Sequence, residues 1–598
     1  MQLDLRMCSL FSAADMVARR IFVATIALLL LVCCVSPAIA QPDSSARRPR
    51  SRASSQTRGR VMTRLGIVST SQTLASQAGA QILHDGGNAI DAAIAANAVL
   101  GLVEPTSNGI GGDMFVMVYE AKTGKLYGLN ASGWAPAKLT IDFLEGQGQR
   151  TMPQRGIHSV TVPGVVAGWD ALRQRVGTRD FATLLAPAIY YAEEGFPVSE
   201  RIAASWQAST KLLSASPSAK QTYLPEGRAP RAGELFRNPD LAKSLRLIAK
   251  GGRDAYYKGP IAEAIVNISR DVGGTFELGD FEQYQPEWVE PLSTTYHGWT
   301  VSELPPNGQG IAALSMLNLM EQFPLRDYGA GSAKALHVMI EAKKLAYADL
   351  IRYVGDPRFS KVPVKEMLAK SLATQRAKEI DPERANAKVA ASELGALGQK
   401  HGGDTIYMSA IDRDGNIVSL IQSNYAGFGS GVVPTGMGFM LQNRGALFTL
   451  ERGHPNALAP HKRPLHTIIP AFMRKDDVRI GFGIMGGWNQ AQAHAQFVAN
   501  VVDFGMNIQA ALEAPRFTKM TFEGNDVQVE PRFPEPVVAE LRRLGHDLKM
   551  LPDAYSGVVG GGQAVMLDGK GVHSAGSDPR KDGSAVPEAP ALKRADDR

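Results

Sequence analysis

The stretch from Thr405 to Gln422 leaves this chain few options. Two apolar, β-favouring runs, Thr405 to Ile411 and Ile417 to Gln422, flank Asp412, Arg413, Asp414, Gly415 and Asn416. An Asp-Gly pair between such runs predicts a hairpin. A second pair of runs, Met114 to Val118 and Leu126 to Leu129, is joined by Thr123, Gly124 and Lys125, and further strands are predicted at Gly438 to Gln442, Pro470 to Arg474 and Val478 to Phe482. Helical patterns surround them. Thr70 to Val103 is Ala-rich and interrupted at Gly86 and Gly87, and Ala335 to Val354, Val364 to Glu379 and Ala491 to Val502 follow. Helices around antiparallel strand pairs predict an α+β layered fold rather than a doubly wound parallel sheet.

The 598-residue chain is long enough to bury a large core, and 44% hydrophobic with 20% charged residues argues for a globular protein. Residues 1–40 differ from the rest: Arg19 and Arg20 precede an apolar run from Ile21 to Val35, and Ala38, Ile39 and Ala40 form an A-x-A pattern. This predicts a signal peptide and a periplasmic or secreted protein, with Met16 a candidate true start. The run is short for an uncleaved anchor, so no integral span is expected after its removal. Cys8, Cys33 and Cys34 all fall in this segment, which leaves the mature chain without thiol catalysis, disulfides or Cys-based metal sites. Residues 1–40 and 41–60 carry +1 and +5, the whole of the formal +6. The folded body is therefore neutral, with no reason to bind nucleic acid, and 41–60, rich in Arg, Ser and Pro, reads as a flexible basic linker.

The chemistry concentrates in GGDTIYMSAIDRDGN, Gly402 to Asn416. Taken alone, Thr405 is a β-branched residue opening a strand. A threonine hydroxyl is a poor nucleophile, but at a chain terminus its own α-amine takes the proton. Gly402, Gly403 and Asp404 supply a tight connection in which that hydroxyl attacks the Asp404 carbonyl and frees the amine. Downstream, IMGGWNQ (Ile484 to Gln490) places Gly486 and Gly487 after a strand, where unobstructed N–H groups suit an oxyanion hole; a plain turn reads equally well from that motif alone.

After Arg60 the chain resembles the gamma-glutamyltransferase (glutathione hydrolase) family along nearly its whole length. The resemblance rests on GNAIDAAIAANAVLGLVEPTSNGIGGDMF (Gly87 to Phe115), APAK (Ala135 to Lys138), SVTVPGVVAGW (Ser159 to Trp169), PPNGQG (Pro305 to Gly310), GDTIYMSAIDRDGNIVS (Gly403 to Ser419), FGSGVV (Phe428 to Val433), KRPLHTIIP (Lys462 to Pro470), MGG (Met485 to Gly487) and APRF (Ala514 to Phe517). It implies a four-layer αββα N-terminal-nucleophile hydrolase, cut between Asp404 and Thr405 into a large subunit, 61–404, and a small one, 405–598. It further implies an acyl-enzyme on Thr405, Ser423 as a second hydroxyl near the nucleophile, Gly486 and Gly487 as oxyanion glycines, and no cofactor.

The departures fall in the acyl pocket. The family's arginine for the glutamyl carboxylate falls on Ser132, with Trp134 two places on, and its serine pair falls on His466 and Thr467. The three residues that hold the α-amino group fall on Tyr425, Arg444 and Leu447, which replaces an acid and adds a cation where an ammonium would sit. LQNRG (Leu441 to Gly445) resembles the cephalosporin-acylase-like branch, so Arg444 is expected to pair with the distal carboxylate of a glutaryl-like acyl group, unless it is an outward surface cation. The stretch from Phe448 to Pro460 is short for a lid, which implies an open site. The substrate is thus expected to be a small acyl amide, γ-glutamyl at family level and des-amino dicarboxylic from the pocket. A processed but inactive binding scaffold is the alternative of another class; Thr405, Ser423 and Gly486 together argue against it. GFGIMG (Gly481 to Gly486) matches a dinucleotide motif without the second parallel strand it needs. Eleven scattered histidines suggest no metal, and His461 and His466, flanking KRPL, read as ordinary polar packing rather than catalytic assistants.

Overall fold

The computed structural model describes residues 56–393 and 404–591; the signal segment, residues 41–55, Gly402 and Gly403 lie outside the described residues. At residue 57 the basic stretch is already held to the fold. The Thr57 hydroxyl and the Arg58 N–H donate to the Glu513 carboxylate at 2.8 and 2.9 Å, and the Arg58 guanidinium reaches the Gly583 carbonyl at 3.0 Å.

Two seven-stranded sheets form the centre. The first runs Ala585–Pro587, Ile67–Ser69, Asp404–Ile411, Ile417–Tyr425, Asp113–Glu120, Lys125–Ala131, Glu287–Val289; the second runs Val61–Thr63, His573–Ser577, Gly562–Leu567, Val478–Ile484, Ala471–Lys475, Trp299–Glu303, Leu292–Tyr296. Every pairing within them is antiparallel. Strand alternation then builds four layers. Ile406, Met408, Ala410, Val418 and Leu420 point out to helices that include Ala89–Val103, Val165–Val176 and Phe181–Glu194. Tyr407, Ile411, Ile417 and Ile421 point inward, against Phe472, Met485 and Val565 of the second sheet. Beyond that sheet, Gly310–Met320, Ala333–Tyr353 and Gln490–Val502 cover Met473, Ile480 and Phe482. The same parity puts Thr405 and Ser423 on the inner faces of their strands.

Local chemistry explains where elements stop. Asn88 caps Ala89–Val103 in a reciprocal box with Asp91, directly after Gly86 turns the chain at φ +82°. The pattern Val364 to Glu379 predicts one helix but forms two, Val364–Met367 and Lys370–Ala377, because Ser315 and Asn318 take the Met367 and Leu368 carbonyls at 3.3 and 3.0 Å. Gly438 to Gln442, expected as a strand, is a buried loop whose groups bond irregularly: Asn238 donates to the Gly438 carbonyl, and the Gln442 N–H to Gly111. Val478–Ile484 pairs antiparallel on both sides, which removes the dinucleotide reading of GFGIMG.

Candidate active site

Thr405 lies at an irregularity in the first sheet. Asp404 pairs with Tyr425 and Ile406 with Gln422, so Thr405 faces two residues, Ser423 and Asn424. Such a bulge re-aims side chains, and Tyr425 absorbs it at φ +73°, a conformation that an aromatic residue rarely adopts. The Thr405 hydroxyl donates to Ser423 Oγ at 3.3 Å, and the Tyr425 N–H donates to the same oxygen at 2.7 Å. Gln490 Nε2 donates to Thr405 Oγ1 at 3.3 Å.

The turn after Val478–Ile484 carries Gly486 at φ +114° and Gly487 at φ +58°, both positions that favour glycine. Among the described residues neither N–H has a partner, while their surroundings are fixed: Gln309 Nε2 donates to the Gly487 carbonyl at 2.8 Å, and the Met485 N–H to Gly561 at 3.0 Å. His494 Nε2 accepts the Ile484 N–H at 3.0 Å and its Nδ1 donates to Glu303 at 2.7 Å, which pins the strand end. A cleft of about 470 Å³ opens on Met485 and Gly486 and is lined by Glu104, Ser107, Arg201 and Lys581.

The expected acyl-pocket residues form a buried cluster around an acid that sequence reasoning missed. Arg444, 0% exposed, donates from Nε to Asp113 at 3.2 Å and from Nη1 to Thr467 Oγ1 at 2.8 Å. His466 Nε2 lies 3.0 Å from the same Asp113 oxygen. Arg444 is therefore not a surface cation. Its Nη2 and the Tyr425 hydroxyl are buried without partners among the described residues, and the guanidinium sits 4.8 Å over the Tyr425 ring. Burial lowers the Arg444 pKa, and Asp113 and Tyr425 oppose that shift. Ser132 joins less directly: its Oγ accepts from Asn307, whose carbonyl receives the His466 N–H at 2.8 Å. Trp134 stacks on His461 instead, at 5.4 Å between centroids. Leu447 and Phe448 line a separate cleft of about 390 Å³, and Phe448, Leu450 and Leu458 pack onto Leu139 and Leu144 rather than over Thr405.

Among the described residues, histidines meet at one place: His337, Glu341 and His546 lie close enough together to hold a metal. Most of their polar atoms are engaged, although His546 Nδ1 is buried without a partner among the described residues. His337 bonds the Asp381 carbonyl and His546 Nε2, each at 2.8 Å, and the Lys344 ammonium lies 2.6 Å from Glu341. A cation paired with the carboxylate opposes a second one there.

Burial, then Arg444, lowers the His466 pKa to about 4, and burial lowers that of His494 to about 3. Between about pH 6.5, the unfolded value, and these values the unfolded chain binds protons that the fold refuses. At His466 stability therefore falls as pH falls through this window, by on the order of 3 kcal/mol, whereas at His494 the hydrogen-bonded Glu303, whose pKa burial raises well above the usual carboxylate value, opposes the loss. The thermal midpoint is expected to drop by several degrees from pH 7.5 to 4.5; an unchanged midpoint would contradict a neutral buried His466.

Two facing antiparallel sheets between helical layers, with a threonine opening an inner strand, are the architecture of the N-terminal-nucleophile hydrolase class. A family model for gamma-glutamyltranspeptidase matches residues 75–588, and the chain belongs to that family. It is 37% identical over 518 residues to the glutathione hydrolase-like YwrD proenzyme of Bacillus subtilis, covering 86% of this chain and 96% of that protein. It is 36% identical to the oxamate amidohydrolase proenzyme of Klebsiella pneumoniae, covering 87% and 98%. A cephalosporin acylase crystal structure from Bacillus halodurans superposes with a TM-score of 0.84 at 43% identity, covering 89% and 98%.

Proposed function

We propose that this chain is an exported precursor that cuts itself between Asp404 and Thr405 and then hydrolyses amides through Thr405, with Ser423 orienting the new amine and Gly486 and Gly487 holding the oxyanion. In the first step Thr405 Oγ1 attacks the Asp404 carbonyl carbon, the peptide C–N bond breaks to leave an ester and a free amine, and water releases the ester. Residues 61–404 and 405–598 stay together because the first sheet interleaves strands from both. In turnover the same oxygen takes the acyl group, the amine carries its proton to the leaving nitrogen, and water resolves the acyl-enzyme. The Bacillus subtilis and Klebsiella pneumoniae relatives, both named as proenzymes, support this reading.

The acyl group we infer carries a carboxylate and no α-ammonium. One observation carries this: Arg444 is buried with Nη2 unpartnered, while the nearby acid, Asp113, is already paired with Arg444 and His466. A buried donor without a partner marks a place for an acceptor from outside the protein. An ammonium would meet a guanidinium there, and Leu447 supplies no acid. The family-level γ-glutamyl substrate, as in glutathione, therefore ranks below a short dicarboxylic monoamide. Purified protein assayed on oxamate, succinamate, glutaramate and γ-glutamyl anilide should turn over a monoamide with the highest kcat/KM. Preference for the γ-glutamyl compound would reverse the ranking.

A further inference from the structure

We infer that Gln490 is a catalytic residue of this site, a fixed amide donor to the oxygen that attacks. The inference rests on the proposed role of Thr405 as nucleophile. Gln490 is the first residue of Gln490–Val502 and is 0% exposed. Its Oε1 accepts the Ile469 N–H at 3.0 Å, which settles the orientation of the carboxamide: the oxygen faces the KRPLHTIIP segment, and Nε2 faces Thr405 Oγ1 at 3.3 Å. Ile469 belongs to a segment that is itself fastened, because Gln309 donates to the Thr467 carbonyl at 2.5 Å and to Gly487 at 2.8 Å. One rigid unit thus carries the Gln490 donor, the oxyanion glycines and, through Thr467, a partner of Arg444.

A donor here acts on charge at Oγ1. When the bond from Oγ1 to the acyl carbon forms, the hydroxyl proton passes to the Thr405 amine, and Oγ1 holds partial negative charge as it does so. When water has added and the Oγ1–carbon bond breaks, charge returns to Oγ1 until the amine gives the proton back. A preorganised N–H stabilises both moments without reorganising. The carboxamide has no proton to give at neutral pH, so its contribution is electrostatic and directional. The donor also fixes the rotation of a β-branched side chain, which holds Oγ1 beside Ser423.

Gln490→Met and Gln490→Glu separate this role from packing. Methionine keeps the volume and loses both bonds; glutamate keeps an acceptor for Ile469 and puts a second acceptor at Oγ1. At pH 8, both should lower kcat about 10- to 100-fold with KM changed less than about threefold, and both should slow the appearance of the fragment that begins at Thr405. For Gln490→Glu, the ratio of its kcat to wild type should rise about tenfold from pH 8 to pH 5, because a protonated carboxyl is again a donor. A residue that only packs would not produce that rise. The inference falls if both variants keep kcat within twofold of wild type, or if the ratio is flat with pH. Wild type and Thr405→Ala run beside them separate the two readings: hydrolysis by Thr405→Ala would overturn the nucleophile and this inference together, whereas wild-type behaviour of the Gln490 variants alone would overturn only the latter.

Discussion

A Thr405→Ala variant is expected to remain a single uncut chain, while the wild type yields two fragments, the smaller beginning at Thr405. Amide hydrolysis should fall by roughly 10⁵- to 10⁶-fold, the scale on which removal of a nucleophile acts in comparable hydrolases. The effect is this large because one oxygen serves both steps, so that the variant lacks the attacking group and also the amine that would have served as its base. Ser423 does not replace it: its Oγ is 3.3 Å away and faces Thr405, but it belongs to a residue inside a strand with no terminal amine of its own. Intact mass and N-terminal sequencing distinguish the outcomes. Fragments of equal size from both proteins would move the cut, and the nucleophile, elsewhere. The fold should survive the change, since Thr405 contributes a hydroxyl and a methyl group at a bulge rather than a core side chain.

Much of this arrangement is legible in the chain because it is local. Period-two alternation places Thr405, Tyr407 and Ile411 on one face, and the motif of Met485 to Gly487 follows a strand that the pattern identifies. The oxyanion role proposed for the glycines rests on the resemblance that the flanking motifs carry, not on their spacing alone. What could not be read is what depends on distance. Asp113 opens a strand in GGDMF and looks like a turn acid, yet its partner Arg444 is 331 residues away and His466 is 353 away. Gln490 sits in the IMGGWNQ motif, but its meaning comes from an oxygen 85 residues earlier. Burial of Arg444 was equally hidden, since an isolated arginine in a loop is most often a surface cation. The loop Gly438 to Gln442 differs for a related reason: Phe439, Met440 and Leu441 face the helical core, and its backbone bonds go to Asn238 and Gly111 rather than to a neighbouring strand.

Arg444→Met is expected to lower kcat/KM for a dicarboxylic monoamide by about 10²- to 10³-fold, and to change it less than about threefold for butyramide, an acyl amide of similar length without the carboxylate. The asymmetry follows from where the charge sits. With Arg444 present, its cation and the Asp113 carboxylate offset each other while Nη2 is left for a ligand oxygen. Removing the guanidinium takes away that donor and also leaves Asp113 buried beside a neutral imidazole, so an incoming carboxylate would meet an uncompensated negative charge. The unpaired acid should also cost about 3–5 kcal/mol of stability, which would appear as a lower thermal midpoint. His466 offsets part of this by protonating more readily, because the cation that helped depress its pKa is gone and Asp113 remains 3.0 Å away. The loss of stability should therefore be smaller at pH 5.5 than at pH 8. Adding Asp113→Asn to the variant removes the stranded charge and should restore most of the thermal midpoint without restoring dicarboxylate selectivity. That split separates recognition by Arg444 from simple damage to the fold. Equal loss on both amides, or recovery of selectivity in the double variant, would mean that Arg444 supports the site without reading the substrate.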